Sequence, residues 1–239
     1  MPDDRLGPVL AAHGGLDRWR GITAVEAVIS VDGFLFTAKH RPPLRRVKVR
    51  AWAHEPRFTV EDPGSPGGVG EWIGDEVRQR DVAGAVTARR DRARAAMFGL
   101  RRELWWDDLD FLYFSGYAMW NYLTTPFLLA NPGVEVEPLP PGPVGPLGLR
   151  ATFPASLPTH CRTQDFWFGP EGELRRLVYV ADVVGWWARV AHDVSAYREA
   201  GGLRFPTRRR VYPLFGGSRP LPGPLIVGID VHEIGVSTA

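Results

Sequence analysis

The sequence predicts a mainly β protein with some α-helix, built on an antiparallel sheet. Its 239 residues include 9 Trp and 12 Phe together with 27 Gly and 22 Pro, a composition that favours short strands joined by turns. Several segments alternate apolar and polar side chains with the period of two that is typical of strands. Long helices would need more Ala, Leu, Glu and Lys than this chain has. We expect a single domain over residues 1–239.

The N-terminal half is predicted to hold one helix followed by strands. Residues 3–13 have apolar side chains at helical spacing, with Asp3 and Asp4 placed to cap the helix and Gly14 and Gly15 placed to end it. Alternating patterns predict strands at 24–37, 45–52, 57–61, 72–81 and 86–90.

The last two of these strands are expected to form a hairpin that turns at Gly84, after a Pro- and Gly-rich loop at 63–68. Charge patterning predicts that the outward face of this hairpin is solvated. The charged residues on it are Arg78, Arg80, Arg89 and Arg90.

The segment from about 104 to 131 differs from the strands around it. Asp107 and Asp108 precede a run with helical spacing, which is where a helix N-terminus favours acidic side chains. Thr125-Pro126 is expected to end this helix. The run is apolar on all sides, so it must be covered on both faces. Its aromatic residues are Trp105, Trp106, Phe111, Tyr113, Phe114, Tyr117, Trp120 and Tyr122.

The C-terminal half returns to strands after a Pro- and Gly-rich loop at 138–146. Strands are predicted at 147–153, 159–168, 173–182, 203–212 and 225–234. Residues 187–198 fit both a helical and a strand period, and the sequence leaves that choice open.

Several short sequence segments of this chain resemble segments of the LolA and LppX superfamily of lipoprotein carriers. They are residues 117–123 with Pro126-Phe127, the 172–176 hairpin and the 202–207 turn, which also resemble a group of uncharacterised actinobacterial proteins. The resemblance implies a half-barrel, in which helices cover the open side of a strongly curved antiparallel sheet. The N-terminal helix and the central aromatic helix would be those covering elements. It also implies an apolar cavity.

Composition and motifs exclude several other classes of protein. The net charge of +2 gives no electrostatic case for nucleic-acid binding. The single cysteine, Cys161, rules out an internal disulfide and a cysteine-based zinc site. The six histidines are scattered, no nucleotide or nucleophile motif is present, and we expect no metal and no cofactor.

No apolar stretch is long enough to be a transmembrane segment. The N-terminus lacks the pattern of a secretory signal, unlike the exported carriers, and we expect a cytoplasmic location. The sequence does not determine the oligomeric state.

The predicted strand 159–168 supplies most of the candidate ligand contacts. One face would carry His160, Arg162, Gln164, Phe166 and Phe168, a mixture of polar and aromatic groups that is typical of ligand pockets. Arg208 would bring a cation into the cavity if its face of the 203–212 strand is the inner one. The full set of predicted ligand-binding residues is Tyr113, Tyr117, Trp120, Tyr122, Arg162, Gln164, Phe166 and Arg208.

Four residues are candidates for acid–base chemistry, because desolvation in an apolar pocket shifts proton affinities. They are His160, Tyr179, Asp165 and His192. For each of them the alternative is a hydrogen-bonded polar residue of the core, and for the aromatic helix the alternative is ordinary packing.

Three functions are therefore compatible with the sequence. The first is binding of a hydrophobic small molecule such as a lipid, polyketide or isoprenoid. The second is a cofactor-independent cyclase, isomerase or lyase of specialised metabolism in the same cavity. The third is a structural or interaction domain with a filled core.

Overall fold

The computed structural model describes residues 5–61, 67–216 and 219–238. The helices are α1 (Leu6–Ala12), α2 (Leu16–Arg20), α3 (Phe34–Ala38), α4 (Ala93–Ala96), α5 (Leu100–Leu104) and α6 (Asp108–Thr124), followed by a 3-10 helix at Phe127–Ala130. The strands of the first half are β1 (Ile22–Asp32), β2 (Leu44–Trp52), β3 (Arg57–Glu61), β4 (Val69–Ile73), β5 (Glu76–Arg80) and β6 (Val86–Arg90). Those of the second half are β7 (Glu135–Leu139), β8 (Leu147–Thr152), β9 (Thr163–Phe168), β10 (Leu174–Val180), β11 (Arg189–Ala200), β12 (Leu203–Pro213) and β13 (Val227–Thr238).

All of these strands form one antiparallel sheet with the order β6-β5-β4-β3-β2-β1-β13-β12-β11-β10-β9-β8-β7. The chain runs outward from β1 to the β6 edge, crosses through α4 to α6, and returns from the β7 edge to β13, which pairs with β1. The two edges do not pair, so the sheet is a curved and open half-barrel. This confirms the predicted fold class.

Helix α6 packs on the inner face of the sheet against β2 to β6. It begins at a capping box, in which Asp107 Oδ1 accepts from the Asp110 backbone N–H at 2.9 Å and Asp110 Oδ2 accepts from the Asp107 N–H at 3.0 Å. Arg90 donates to both carboxylates, at 2.7 Å to Asp107 and 2.6 Å to Asp110. The prediction that Arg90 faces solvent is therefore wrong, because this cation anchors the start of α6.

A close approach also fixes α6 against the sheet. A Cβ atom on Gly116 would lie 2.5 Å from Cβ of Trp72, so only glycine lets the helix backbone reach β4. The helix ends at Thr125-Pro126 as predicted. Its aromatic side chains join a continuous core between the helix and the sheet.

Several predicted boundaries differ from the structure. The 24–37 strand stops at Asp32, because Gly33 has a φ of 131° and α3 follows it. The 72–81 segment is divided between β4 and β5 by a turn at Gly74. The start of the predicted 138–146 loop belongs to β7, whose strand the sequence did not reveal.

Other elements are settled by pairing or lie outside the described residues. Residues 187–198 are in a strand, because β11 pairs with both β10 and β12. The N-terminal helix is present as α1, but Asp3 and Asp4 and most of the 63–68 loop are outside the described residues. In the described ranges, no helix has the length and apolar character needed to cross a membrane.

Candidate functional site: an apolar cavity closed by a tyrosine–histidine chain

A cavity of about 280 Å³ lies inside the half-barrel, between α3, the end of α6 and strands β10 to β13. Its inner end is formed by three polar aromatic residues: Tyr122, His160 and Tyr179. Its walls are mostly apolar and include Phe114, Ala181, Val190, Val211 and Val227. A smaller void of about 30 Å³ adjoins it and shares Phe114, Tyr122 and Val227 with it.

The mouth of the cavity is aromatic and open to solvent. Phe34 and Trp187 are each 54% exposed, and Phe215 is 62% exposed. They come from α3, from the turn between β10 and β11, and from the segment after β12. Large apolar side chains are thus held in water where they border the cavity, an arrangement that soluble proteins use at binding sites.

His160 lies in a loop, not on a strand, because β9 begins only at Thr163. Two hydrogen bonds to backbone oxygens hold this loop in place. The backbone N–H of Asp182 donates to His160 O at 3.2 Å, and the side-chain Nη1 of Arg94 donates to Thr159 O at 3.0 Å. They place the imidazole between Tyr117 and Tyr122 of α6, where it is 1% exposed.

Five side chains form a continuous hydrogen-bonded chain at this end of the cavity. The Tyr117 hydroxyl lies 3.1 Å from His160 Nδ1, and the Tyr122 hydroxyl lies 2.7 Å from His160 Nε2. The Tyr122 and Tyr179 hydroxyls are 2.8 Å apart. The Tyr179 hydroxyl is 3.3 Å from Nδ1 of His192. The chain couples the donor and acceptor roles of His160 to those of His192 through two tyrosine hydroxyls.

All members of this chain are neutral at ordinary pH. Burial lowers the pKa of His160 to about 3 and lowers that of His192 as well. Burial raises the pKa of the Tyr122 and Tyr179 hydroxyls. The His160 ring also stacks on the Tyr179 ring, with centroids 4.1 Å apart and planes 7° apart. The inner end is therefore an uncharged surface of hydrogen-bonding groups.

The structure brings together three of the four predicted acid–base residues. His160 and Tyr179 line the cavity, and His192 lies behind Tyr179. The acid–base role predicted for Asp165 is wrong. Strand alternation places this residue on the face of β9 opposite Gln164, outside the cavity, where Arg150 Nε of β8 donates to it at 2.7 Å.

Two predicted cation positions are also wrong. Arg162 precedes β9 and is exposed, at a separate surface cleft that also contains Arg94 and Asp182. The side chain of Arg208 is 60% exposed and lies near Asp230. The sequence correctly predicted that Arg208 and Arg209 point to opposite faces of β12. The inner face is the one that carries Arg209, which is 1% exposed, and not the one that carries Arg208.

The remaining predicted ligand contacts have packing roles, and only Tyr122 lines the cavity. Trp120 donates from Nε1 to Trp52 O at 2.8 Å, and Tyr113 packs on Tyr117 at a centroid distance of 5.3 Å. Gln164 and Phe166 are buried on the inner face of β9, where Gln164 donates to Cys161 O. The sequence did not reveal the aromatic residues of the mouth, Phe34, Trp187 and Phe215. Their only sequence signal is that Phe34 and Phe215 are each beside a Gly, and that Trp187 belongs to a Trp-Trp pair.

No group of three or more His, Cys, Asp or Glu side chains in the described part of the chain is arranged to hold a metal ion. The chemistry available at the inner end is hydrogen bonding and proton transfer by neutral phenol and imidazole groups.

Neither a protein-family model nor a curated protein matches the sequence. Solved structures of other proteins share the fold over nearly the whole chain. A LolA superfamily protein from Nitrosomonas europaea overlaps with a TM-score of 0.52 at 11% identity, over 97% of this chain and 93% of that one. A DUF1329 family protein from Desulfovibrio piger overlaps with a TM-score of 0.51 at 13% identity, over 99% and 94%.

The lipoprotein LppX from Mycobacterium tuberculosis overlaps less closely, with a TM-score of 0.30 at 13% identity, over 98% of this chain and 94% of that one. The two stronger overlaps agree with the strand order and the helical cover described above. The chain has a LolA-like fold.

Proposed function

We propose that this chain is a single ligand-binding domain that holds a hydrophobic small molecule, such as a lipid, polyketide or isoprenoid, in the cavity between α6 and the sheet. One observation carries the proposal: an apolar cavity of about 280 Å³ that opens to solvent between exposed aromatic side chains. The resemblance to lipoprotein carriers supports it.

The shape and chemistry of the cavity suit an amphiphilic molecule. Its apolar walls favour burial of a hydrocarbon body, at roughly 25 cal/mol for each Å² of apolar surface removed from water. The Tyr122 and Tyr179 hydroxyls at the inner end retain oxygen lone pairs that can accept a hydrogen bond from a polar end group, whereas both nitrogens of His160 are already bonded to tyrosines. A ligand with one polar end and an apolar body would therefore enter with its polar end first.

Two neighbouring tryptophans provide a matched test. Trp187 lines the mouth, whereas Trp186 is 87% exposed and is not part of the cavity wall. We expect Trp187→Ala to weaken binding of an apolar fluorescent probe such as N-phenyl-1-naphthylamine by about tenfold, the loss expected for one buried aromatic contact. Trp186→Ala should leave the affinity unchanged. Equal affinities for all three proteins would contradict a ligand site at this mouth.

A second candidate function has its own observation. The chain from Tyr117 through His160 and Tyr122 to Tyr179 and His192 can relay a proton to or from a bound molecule, because each neighbouring pair is within hydrogen-bonding distance. This arrangement favours a cofactor-independent isomerase, cyclase or lyase in which His160 contacts the substrate and His192 positions Tyr179. Alanine at His160 should then abolish turnover of a co-purified molecule while sparing its binding.

The cavity argues against a purely structural domain with a filled core. Such a domain would show the same melting temperature with and without apolar additives, whereas a binding protein is stabilised by its ligand through mass action. A thermal-shift series with decanol therefore separates these two functions.

A further inference from the structure

A buried cation on the inner face of the sheet has no acidic partner among the described residues. Arg209 lies on the inner face of β12 and is 1% exposed. Burial lowers the pKa of its guanidinium to about 10, so the group remains a cation at neutral pH. The ionisable groups that face it are tyrosines and His192, and no ion pair joins it to a carboxylate within the described ranges. A buried cation without a counter-charge is costly to keep in a protein.

The guanidinium also has unused donors. Nη2 donates to the backbone oxygen of Tyr122 at 2.5 Å, and the guanidinium carbon lies 5.0 Å from the centre of the Tyr122 ring. The Nε and Nη1 atoms of Arg209 are buried without a hydrogen-bond partner among the described residues. The same is true of Nε2 of His192, at the end of the tyrosine–histidine chain.

Strand alternation places these unused atoms directly beyond the cavity. Val190 and Val211 line the cavity wall. Two residues further along the same faces of β11 and β12 are His192 and Arg209, and His192 is paired with Val211 across the two strands. His192 is thus level with Val211, and Arg209 lies one step further along β12, opposite Val194. Both side chains lie against the ring of Tyr122, which lines the cavity.

We propose that the ligand is a carboxylic acid with an apolar tail, whose head group binds the guanidinium of Arg209 as the Tyr122 side chain turns aside. This inference rests on the proposed binding function and specifies its ligand class. A guanidinium with unused N–H donors forms charge-assisted hydrogen bonds to a carboxylate, and these are stronger than bonds to a neutral head group. One unpaired cation favours a single negative charge, as a carboxylate carries. The tail of the acid occupies the apolar cavity and ends between Phe34 and Trp187 at the mouth.

The test compares decanoate with decanol, which share a tail and differ in the charge of the head group. Affinities are measured by titration calorimetry at pH 8, where the acid is ionised. The wild-type protein should bind decanoate about tenfold or more tightly than decanol. Arg209→Met should reduce that ratio to about one, and Arg208→Met, which removes the same charge from the exposed neighbour, should leave the ratio unchanged.

Each other outcome overturns the inference. Equal wild-type affinities for decanoate and decanol would rule out recognition of a carboxylate, while the proposed binding of hydrophobic molecules would still stand. An Arg209→Met variant that loses both ligands equally would show that Arg209 only anchors α6 through the Tyr122 carbonyl. Binding of neither compound would contradict the proposed function itself. If Arg209→Met fails to fold, as judged by circular dichroism, Lys39→Met decides the point, because Lys39 is a cation in the cavity wall. The preference for decanoate should persist in that variant, and its loss would assign the head group to Lys39 and overturn the inference.

Discussion

Acid should destabilise this protein through His160, and the structure gives the size of the effect. Burial lowers the pKa of this imidazole from its ordinary value of 6.5 to about 3. The unfolded chain therefore binds a proton near pH 6.5, while the folded chain does not. The stability that depends on the neutral ring is fully present above pH 6.5 and is lost as the pH falls toward 3.

The magnitude follows from proton linkage. At pH 5 the unfolded state gains about 2 kcal/mol from protonating this one imidazole, and the folded state gains almost nothing. The assay is urea unfolding of the wild type and of His160→Gln at pH 7 and pH 5. The wild type should lose about 2 kcal/mol more than the variant over this interval, because changes at other groups largely cancel in the difference.

An exposed histidine supplies the control. His54→Gln also removes one imidazole, but from the surface. The reasoning is refuted if His160→Gln and the wild type lose the same stability between pH 7 and pH 5, since the imidazole would then titrate equally in the folded and unfolded chains.

Three further predictions concern the helix that covers the cavity, each measured by urea unfolding at pH 7. Asp107→Ala should destabilise the protein by about 1–2 kcal/mol through loss of the helix cap, with a further loss because Arg90 would lose one of its two acidic partners; an unchanged midpoint would rule out the capping box. Gly116→Ala should cost about 1–3 kcal/mol, because the added methyl group would overlap Trp72, and the neighbouring Ser115→Ala serves as its control. Trp120→Phe should cost about 1 kcal/mol or more for the lost hydrogen bond to the Trp52 carbonyl, and no loss would show that this bond does not stabilise the helix.

Local patterns revealed most of the architecture. The period of two identified the strands around residues 45–52 and 203–212, and Asp107 with Thr125-Pro126 marked the two ends of α6. Boundaries failed where one residue changes the backbone direction. At Gly33, just after β1, a Cβ atom would lie 2.4 Å from the backbone oxygen of Ile226, so the chain needs glycine there. Ile226 is more than 190 positions away in the sequence, and no short window of residues contains both.

The site was predicted only in part, for a related reason. Alternation along β12 showed that Arg208 and Arg209 face opposite ways, but not which of them faces inward, because that depends on the neighbouring strands. His160 was identified through a strand that does not include it, and it reaches the cavity from a loop held by Arg94 and Asp182. A pattern of residue types cannot reveal contacts made by irregular backbone.

Native mass spectrometry of the purified wild-type protein, paired with a cavity-filling variant, tests the central claim most directly. Val190 is buried in the cavity wall, and Val190→Trp would occupy the space that we assign to the ligand. The account predicts that the wild type takes up added decanol as a one-to-one complex and that the folded Val190→Trp variant does not. A wild type that stays at its unliganded mass in excess decanol and decanoate would contradict it.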